Sequence, residues 1–353
     1  MNHRIKSLDG LRGILCLLVV FHHYDVKYIP SFFYNNFLIR QADLLVDFFF
    51  IISGFVISYN YKNFDSIKDV GKFLKKRFLR LYPLLLFSTT LFFLFEIFSR
   101  NIFSNFINKK IDNTSLIKSF IDTILLNNSS PLFGNSWGIN RPTWSISAEF
   151  YAYLIFSIVL LVFGKRFKNI VLASVFIISG LSIFKLYNLD VFNNAEFGFI
   201  RCIYLFILGV FINYAKPRLY QSNKSIDLIL VLFSIIALYI NKIYICNLLH
   251  HTVIELIVMP VLFGTLIYYT IKGNGYFSNI LSLKSIQWLG KYSYSIYLNH
   301  AIVILFIPKL IFQVLKLEKV IYVEFGTFVI CILTTLIYSK ITYKFVEKRF
   351  YFK

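Results

Sequence analysis

The stretch SLDGLRGILCLLVVFHHY (Ser7–Tyr24) puts a guanidinium and an imidazole on one apolar segment. An imidazole takes a proton from a hydroxyl, or carries an acyl group itself, near neutral pH. A guanidinium holds anions through paired hydrogen bonds. Arg12 and His23 are eleven residues apart. On a helix that is about 1100°, some 20° from three full turns, so they share a face with roughly 16 Å between them. His22 falls about 80° off that line, so His23 is the better-aligned imidazole. Polar groups at membrane depth usually face protein or a watery cavity. Taken alone, the pair also fits an arginine snorkelling to headgroups and a histidine at the opposite interface.

Three further clusters have similar spacing. In KKRFLRLYP, Arg77 and Arg80 lie at i and i+3, one helical face, where two guanidiniums could hold phosphates or simply mark the cytoplasmic side. In PTWSISAEFYAY, Glu149 follows Ser145 by one turn and could orient an imidazole or a reacting hydroxyl, or pair structurally, with Trp144 an interface anchor. In GKYSYSIYLNH, Ser293, Tyr297 and His300 form a polar stripe that lines a cavity or closes a hydrogen-bonded cluster. His251 and Glu255, at i and i+4, lack a third ligand, so no metal is expected. Gly54, after Asp43 and Asp47, reads as a close-packing point, and Arg201 and Glu96 carry no assigned role.

The elements that must position these residues are membrane helices. The chain has 353 residues, 58% apolar and 19% aromatic, with 41 Phe and a mean hydropathy of +0.67. That exceeds the apolar content of soluble domains, about half. Ten apolar spans are expected, at 12–26, 42–60, 81–99, 144–163, 170–187, 199–214, 226–243, 251–271, 292–308 and 321–343. The fold class is therefore an all-α polytopic bundle, a single domain over 1–353. With both termini cytoplasmic, 23 of the 37 Lys and Arg fall in cytoplasmic segments, including a basic loop at 61–80. The net charge of +20 thus records topology, with no nucleic acid partner implied.

The first span reads as a retained helix rather than a cleaved leader. SLIKSFIDTILL, in the external 100–143 loop, reads as an interfacial amphipathic helix. Pro83, Pro260 and Pro308 read as punctuation near span ends. Cys16, Cys202, Cys246 and Cys331 are dispersed and read as core residues. Asn113, Asn127 and Asn128 begin Asn-x-Ser sequons.

Five of these motifs, in order, carry a family likeness. LDGLRGILCLLVVFHH, DFFFIISGF (Asp47 to Phe55), RFLRLYP, TWSISAE and SYSIYLNH resemble the signatures of the acyltransferase-3 family of membrane O-acyltransferases. The resemblance spans nearly the whole chain. It implies a multi-pass protein of a bacterial inner or plasma membrane. The implied activity is transfer of an acyl group, usually acetyl, from cytoplasmic acyl-CoA to a hydroxyl of an extracytoplasmic polysaccharide, such as O-antigen, capsule or peptidoglycan. His23 is then the catalytic histidine and Arg12 its partner on the donor side, with Arg77 and Arg80 binding acetyl-CoA. Glu149 is catalytic within a tryptophan-serine-glutamate motif, and Trp144, Ser145, Tyr297 and His300 contact substrate. The chain departs from the usual W-S-L-x-x-E form at Ile146, and Phe150 stands where a second acid is often found. No esterase-like C-terminal domain of the kind some members have is present in the sequence, so acceptor handling is expected of the membrane domain or a polysaccharide-assembly partner.

The expected mechanism holds the CoA nucleotide at Arg77, Arg80 and neighbouring lysines while the pantetheine arm enters a polar shaft near Arg12. His23, assisted by Glu149, then deprotonates the sugar hydroxyl or carries the acyl group. The competing reading is a carrier, a lipid-linked sugar flippase or proton-coupled exporter, which would use the same intramembrane charges.

Overall fold

A computed structural model describes residues 5–24, 27–30, 33, 36–102, 113–130, 138–188, 194–215, 224–243, 252–271 and 273–351, helical throughout with no strand among them. The helices are α1 (Lys6–His23), α2 (Phe37–Arg40), α3 (Val46–Asn60), α4 (Ile67–Ile102), α5 (Asn113–Ile124), α6 (Thr143–Asn188), α7 (Asn194–Tyr214), α8 (Ile226–Ile243), α9 (Met259–Thr270), α10 (Tyr276–Leu281), α11 (Lys284–Lys309), α12 (Ile321–Thr342) and α13 (Lys348–Tyr351). Eight helical stretches among these residues are long and apolar enough to cross a bilayer. They take in the second to tenth expected spans, with the fourth and fifth sharing α6. The first is α1, whose Lys6, Asp9 and Arg12 set it apart. The protein is a polytopic all-α membrane protein.

At 46 residues α6 would extend about 70 Å, twice a bilayer core, if it were straight. It breaks at Gly164, whose φ of 53° is open to glycine but costly for other residues. Before the break, residue numbers rise together along α6 and α7. Trp144 lies over Gly198, and Tyr153 and Phe156 meet Phe206 edge-on. After it they run oppositely, for Phe176 meets Phe211, Gly180 meets Tyr204 and Tyr187 meets Arg201. The chain therefore reverses at Gly164, and α6 is two antiparallel arms.

Two close parallel crossings hold the centre. Helices α1 and α11 keep one register: Gly13 abuts Gly290, the Cys16 thiol donates to the Ser293 carbonyl at 3.2 Å, and His23 meets His300. A Cβ on Gly13 would lie 2.5 Å from the Gly290 backbone nitrogen, so the helices touch backbone to backbone. Helices α3 and α7 do the same at Gly54, where a Cβ would lie 1.9 Å from the Phe206 carbonyl oxygen. Small residues allow such approach where lipid supplies no hydrophobic drive between helices.

Some boundaries differ from expectation. The basic run expected as a loop at 61–80 is helical from Ile67, because Ser66 caps α4: its hydroxyl bonds Asp69 at 2.7 Å and accepts the Asp69 amide. Pro83 and Pro308 lie inside α4 and α11, while Pro260 opens α9. The expected amphipathic helix is α5. Phe120 stacks on Phe93 of α4, and Leu116 packs in a small cluster reaching Leu305 of α11. Asn127 and Asn128 are buried, so those two sequons offer no surface amide. Cys16, Cys202 and Cys331 are buried free thiols; Cys246 and His251 lie outside the described residues.

Gly13→Leu is expected to destabilise the protein by about 1–3 kcal/mol or more by forcing α1 off α11. Gly326→Leu, where nothing stands within 4 Å, should leave stability unchanged. Thermal unfolding of both variants in detergent checks the contrast.

Candidate active site

All five sequence motifs converge on one cavity of about 90 Å³, room for several waters, with Phe49, Phe50 and Ser53 reaching it from α3. Arg12 reaches it from α1, Arg77 and Arg80 from α4, Ser145 and Glu149 from α6, and Tyr297 from α11. The convergence follows from local periodicity. Arg77 and Arg80 lie on one face of a helix lengthened by its Ser66 cap, and Ser145 and Glu149 are one turn apart.

Arg77 is only 8% exposed, flanked by the rings of Tyr61 and Phe73 at 5.7 and 5.6 Å, and its Nε has no hydrogen-bond partner. A buried guanidinium with an unmet donor is costly without an acceptor, and a phosphate oxygen is the acceptor it suits best. Glu149 Oε1 accepts the hydroxyls of Ser53 and Tyr153, each at 2.5 Å, so its carboxylate is fixed among the arginines. Ser53, from α3, and Tyr153 carried no sequence expectation. Tyr153 was legible as the i+4 neighbour of Glu149, whereas Ser53 has no local signal. Among the described residues, no group of His, Cys, Asp and Glu is arranged to hold a metal.

A second polar centre lies one ring beyond the cavity. The Tyr297 hydroxyl shares a 2.8 Å hydrogen bond with Ser145, and its ring centroid is 5.9 Å from that of His300. His300 is fully buried, and its Nε2 lies 3.0 Å from His23 Nδ1, the two rings stacked at 5.0 Å. His23 itself is half-buried. The other imidazole of the opening motif turns elsewhere: His22 Nδ1 bonds the Ile39 carbonyl at 2.9 Å.

The segment between α5 and α6 presses on this centre. Asn140 donates to the Leu298 carbonyl at 3.1 Å, and Asn128 bonds Thr143 and Ser147.

The arrangement departs from expectation at three residues. Glu149 shares the cavity with the arginines and bonds Ser53 and Tyr153 instead of assisting His23. Trp144 packs on Gly198 and edge-on to Phe50, so its place is in the core and not on the cavity wall. His300 lies behind Tyr297, outside the cavity lining, and contacts His23. Arg12, Arg77, Arg80, Ser145 and Tyr297 all line the cavity.

Arg201 belongs to a separate buried network. Its Nε and Nη2 donate to both oxygens of Asp47 at 2.9 and 2.8 Å. Tyr187 joins it to Glu255, accepting from Nη1 at 3.2 Å and donating to Glu255 at 2.6 Å. Asn241 extends the chain to Gln41 at 2.9 Å. These contacts tie α3, α6, α7 and α8 together at membrane depth.

Comparison with known proteins bears on the whole chain. A family described as an acyltransferase domain matches residues 5–343. The O-acetyltransferase OatA of Staphylococcus aureus is 26% identical over 374 aligned residues, covering 97% of this chain and 56% of its own length. The acyltransferase MdmB of Streptomyces mycarofaciens is 29% identical over 161 residues, 43% of this chain and 38% of its own. Protein 2 in the picA locus of Rhizobium radiobacter is 40% identical over 83 residues, 23% of this chain and 40% of its own. The chain thus spans about half the length, or less, of these relatives. No solved structure matches it.

Arg201→Leu should leave the Asp47 carboxylate buried and unpaired, lowering stability by about 3–5 kcal/mol. Adding Asp47→Leu should recover much of that loss, as read by thermal unfolding of the single and double variants.

Proposed function

Because the chain belongs to the acyltransferase-3 family of membrane acyltransferases, we propose that it moves an acyl group, acetyl in the reading favoured here, from cytoplasmic acyl-CoA to a hydroxyl of an extracytoplasmic sugar. The observation that carries the proposal is the line of polar groups from the arginine cavity through Tyr297 and His300 to His23. Such a line connects a site suited to phosphates with a site suited to proton transfer, roughly 16 Å apart along α1. The name of OatA, an O-acetyltransferase, supports acetyl as the group and oxygen as its acceptor.

In this mechanism Arg77 and Arg80 hold phosphates of the donor, with Arg12 at the start of the shaft. Glu149 offsets one of the three guanidinium charges, leaving the site net cationic, and through Ser53 and Tyr153 keeps the shaft wall fixed. The uncharged arm of the donor carries its thioester toward Tyr297. At the far end, His23 takes the proton of the sugar hydroxyl as the oxygen attacks the acyl carbon. The C–S bond breaks, the ester C–O bond forms, and the thiol leaves with a proton. The same imidazole is also suited to carrying the acyl group between donor and acceptor, with identical net chemistry. The membrane is a bacterial inner or plasma membrane in this reading, with the basic start of α4 and the basic reversal of α6 at Lys165, Arg166 and Lys168 in the cytoplasm.

Two measurements test it. Mass analysis of surface polysaccharide from cells with and without the protein is expected to show an acetyl increment only with it. His23→Ala should cut that transfer by about 100-fold or more while membrane insertion stays normal. Separately, Arg77→Gln with Arg80→Gln should weaken acyl-CoA binding at least about tenfold. Undiminished affinity would refute the phosphate role, and glycan movement without acyl-CoA would favour a carrier.

A further inference from the structure

We infer that His300 is a positioning residue for His23, holding its hydrogen on Nδ1 and so leaving Nε2 bare to meet the acceptor hydroxyl. This inference rests on the proposed acyl transfer for its consequence, though not for its geometry.

Two ring nitrogens 3.0 Å apart need one hydrogen between them, since two lone pairs or two N–H groups would repel. The surroundings decide which ring supplies it. His300 is fully buried within α11, and its Nδ1 has no well-formed hydrogen bond. Within α11 a side chain leans back over the preceding turn, so the Nδ1 edge of His300 lies over the turn of Ile296 and Tyr297, whose free polar edge is made of backbone carbonyls. Carbonyls only accept, so the Nδ1 beside them keeps its hydrogen. Neutral His300 then has a lone pair on Nε2, which must accept the hydrogen of His23 Nδ1. The His23 side agrees: the turn before it on α1, at Val19, likewise presents backbone carbonyls to the inner edge of that imidazole. Both contacts call for a hydrogen on the inner edge of His23 and leave the outer nitrogen free.

The parallel register of α1 and α11 makes the contact stiff. It is the last of three at one sequence offset, after Gly13–Gly290 and Cys16–Ser293. The rings are also clamped by Tyr297 on one side and His22 on the other, with centroids 5.9 and 5.3 Å away. A partner that fixes ring orientation and tautomer acts without touching substrate, and losing such a partner typically lowers activity about 10- to 100-fold.

The experiment compares His300→Phe, which keeps a ring and removes the acceptor, with His300→Gln, which restores an acceptor oxygen. Full-length protein with 15N-labelled histidine in lipid vesicles reports the tautomer of His23, assigned by difference from His23→Ala. The wild type is expected to have Nδ1–H and bare Nε2. His300→Phe should mix the tautomers, and His300→Gln should restore the first. In acyl-transfer assays His300→Phe should lower kcat about 10- to 100-fold with donor KM unchanged, and His300→Gln should regain part of it. A wild-type hydrogen on Nε2, or an unchanged tautomer in His300→Phe, overturns the inference. So does equal loss of kcat and acyl-CoA affinity in both variants, which would make His300 a packing residue. If the wild type transfers no acyl group, the proposed function fails, while the tautomer spectra still decide this inference.

Discussion

Backbone contact between two parallel helices, at Gly10 and Gly13 of α1 and Gly290 of α11, sets the spacing of the whole site. In lipid, helices gain little by hiding apolar surface from one another, so close packing of small residues has to hold them. Here it brings Gly13, Cys16 and His23 of α1 against Gly290, Ser293 and His300 of α11. Arg12 and His23 are thereby held at opposite ends of one seam, the first at the cavity and the second against His300. A side chain at Gly13 would widen that seam along its length.

Polar groups at this depth fall into two kinds of network, and the difference between them separates scaffold from site. Around Arg201 the charges are paired: Asp47 takes a two-pronged contact, and Tyr187, Glu255, Asn241 and Gln41 extend the chain, with only the Asn241 amide oxygen left over. Such a network rigidifies the crossing of α3 and α7, which in turn carries Ser53 to Glu149. Around the cavity the bonding is open. Arg77 lies between two aromatic rings with its Nε unmet, and the space beside it is roomy enough for water. An unmet guanidinium donor beside a cavity inside a membrane protein suits an anionic ligand.

In the proposed reaction, separating a phosphate end from an imidazole end resolves a chemical conflict. A donor with many negative charges is best kept near the aqueous face, where desolvation costs least, whereas the hydroxyl to be acylated arrives from the other side in the proposed reaction. In that reaction only the uncharged part of the donor has to travel, along a wall made by Tyr297, Ser145 and the Phe49 and Phe50 rings of α3. The segment between α5 and α6, fastened to α11 through Asn140 and to α6 through Asn128, makes a polar rim beside the histidines.

Much of this was written in the sequence. Hydropathy alone fixed the all-helical bundle and most spans, because a segment of about 20 apolar residues has one stable form in lipid. Helical periodicity placed Arg77 with Arg80 and Ser145 with Glu149, since residues three or four apart share a face whatever the tertiary context. Capping at Ser66, the reversal at Gly164 and the two-arm form of α6 were less legible, because each depends on a single residue's hydrogen bond or backbone angle. Tertiary structure alone decided which faces meet. No local rule pairs His23 with His300 across 277 positions, joins Asp47 to Arg201, or turns Glu149 toward the arginines and Trp144 toward Gly198. Those choices follow from how helices pack, and packing is a property of the assembled bundle that the periodicity of any one helix leaves open.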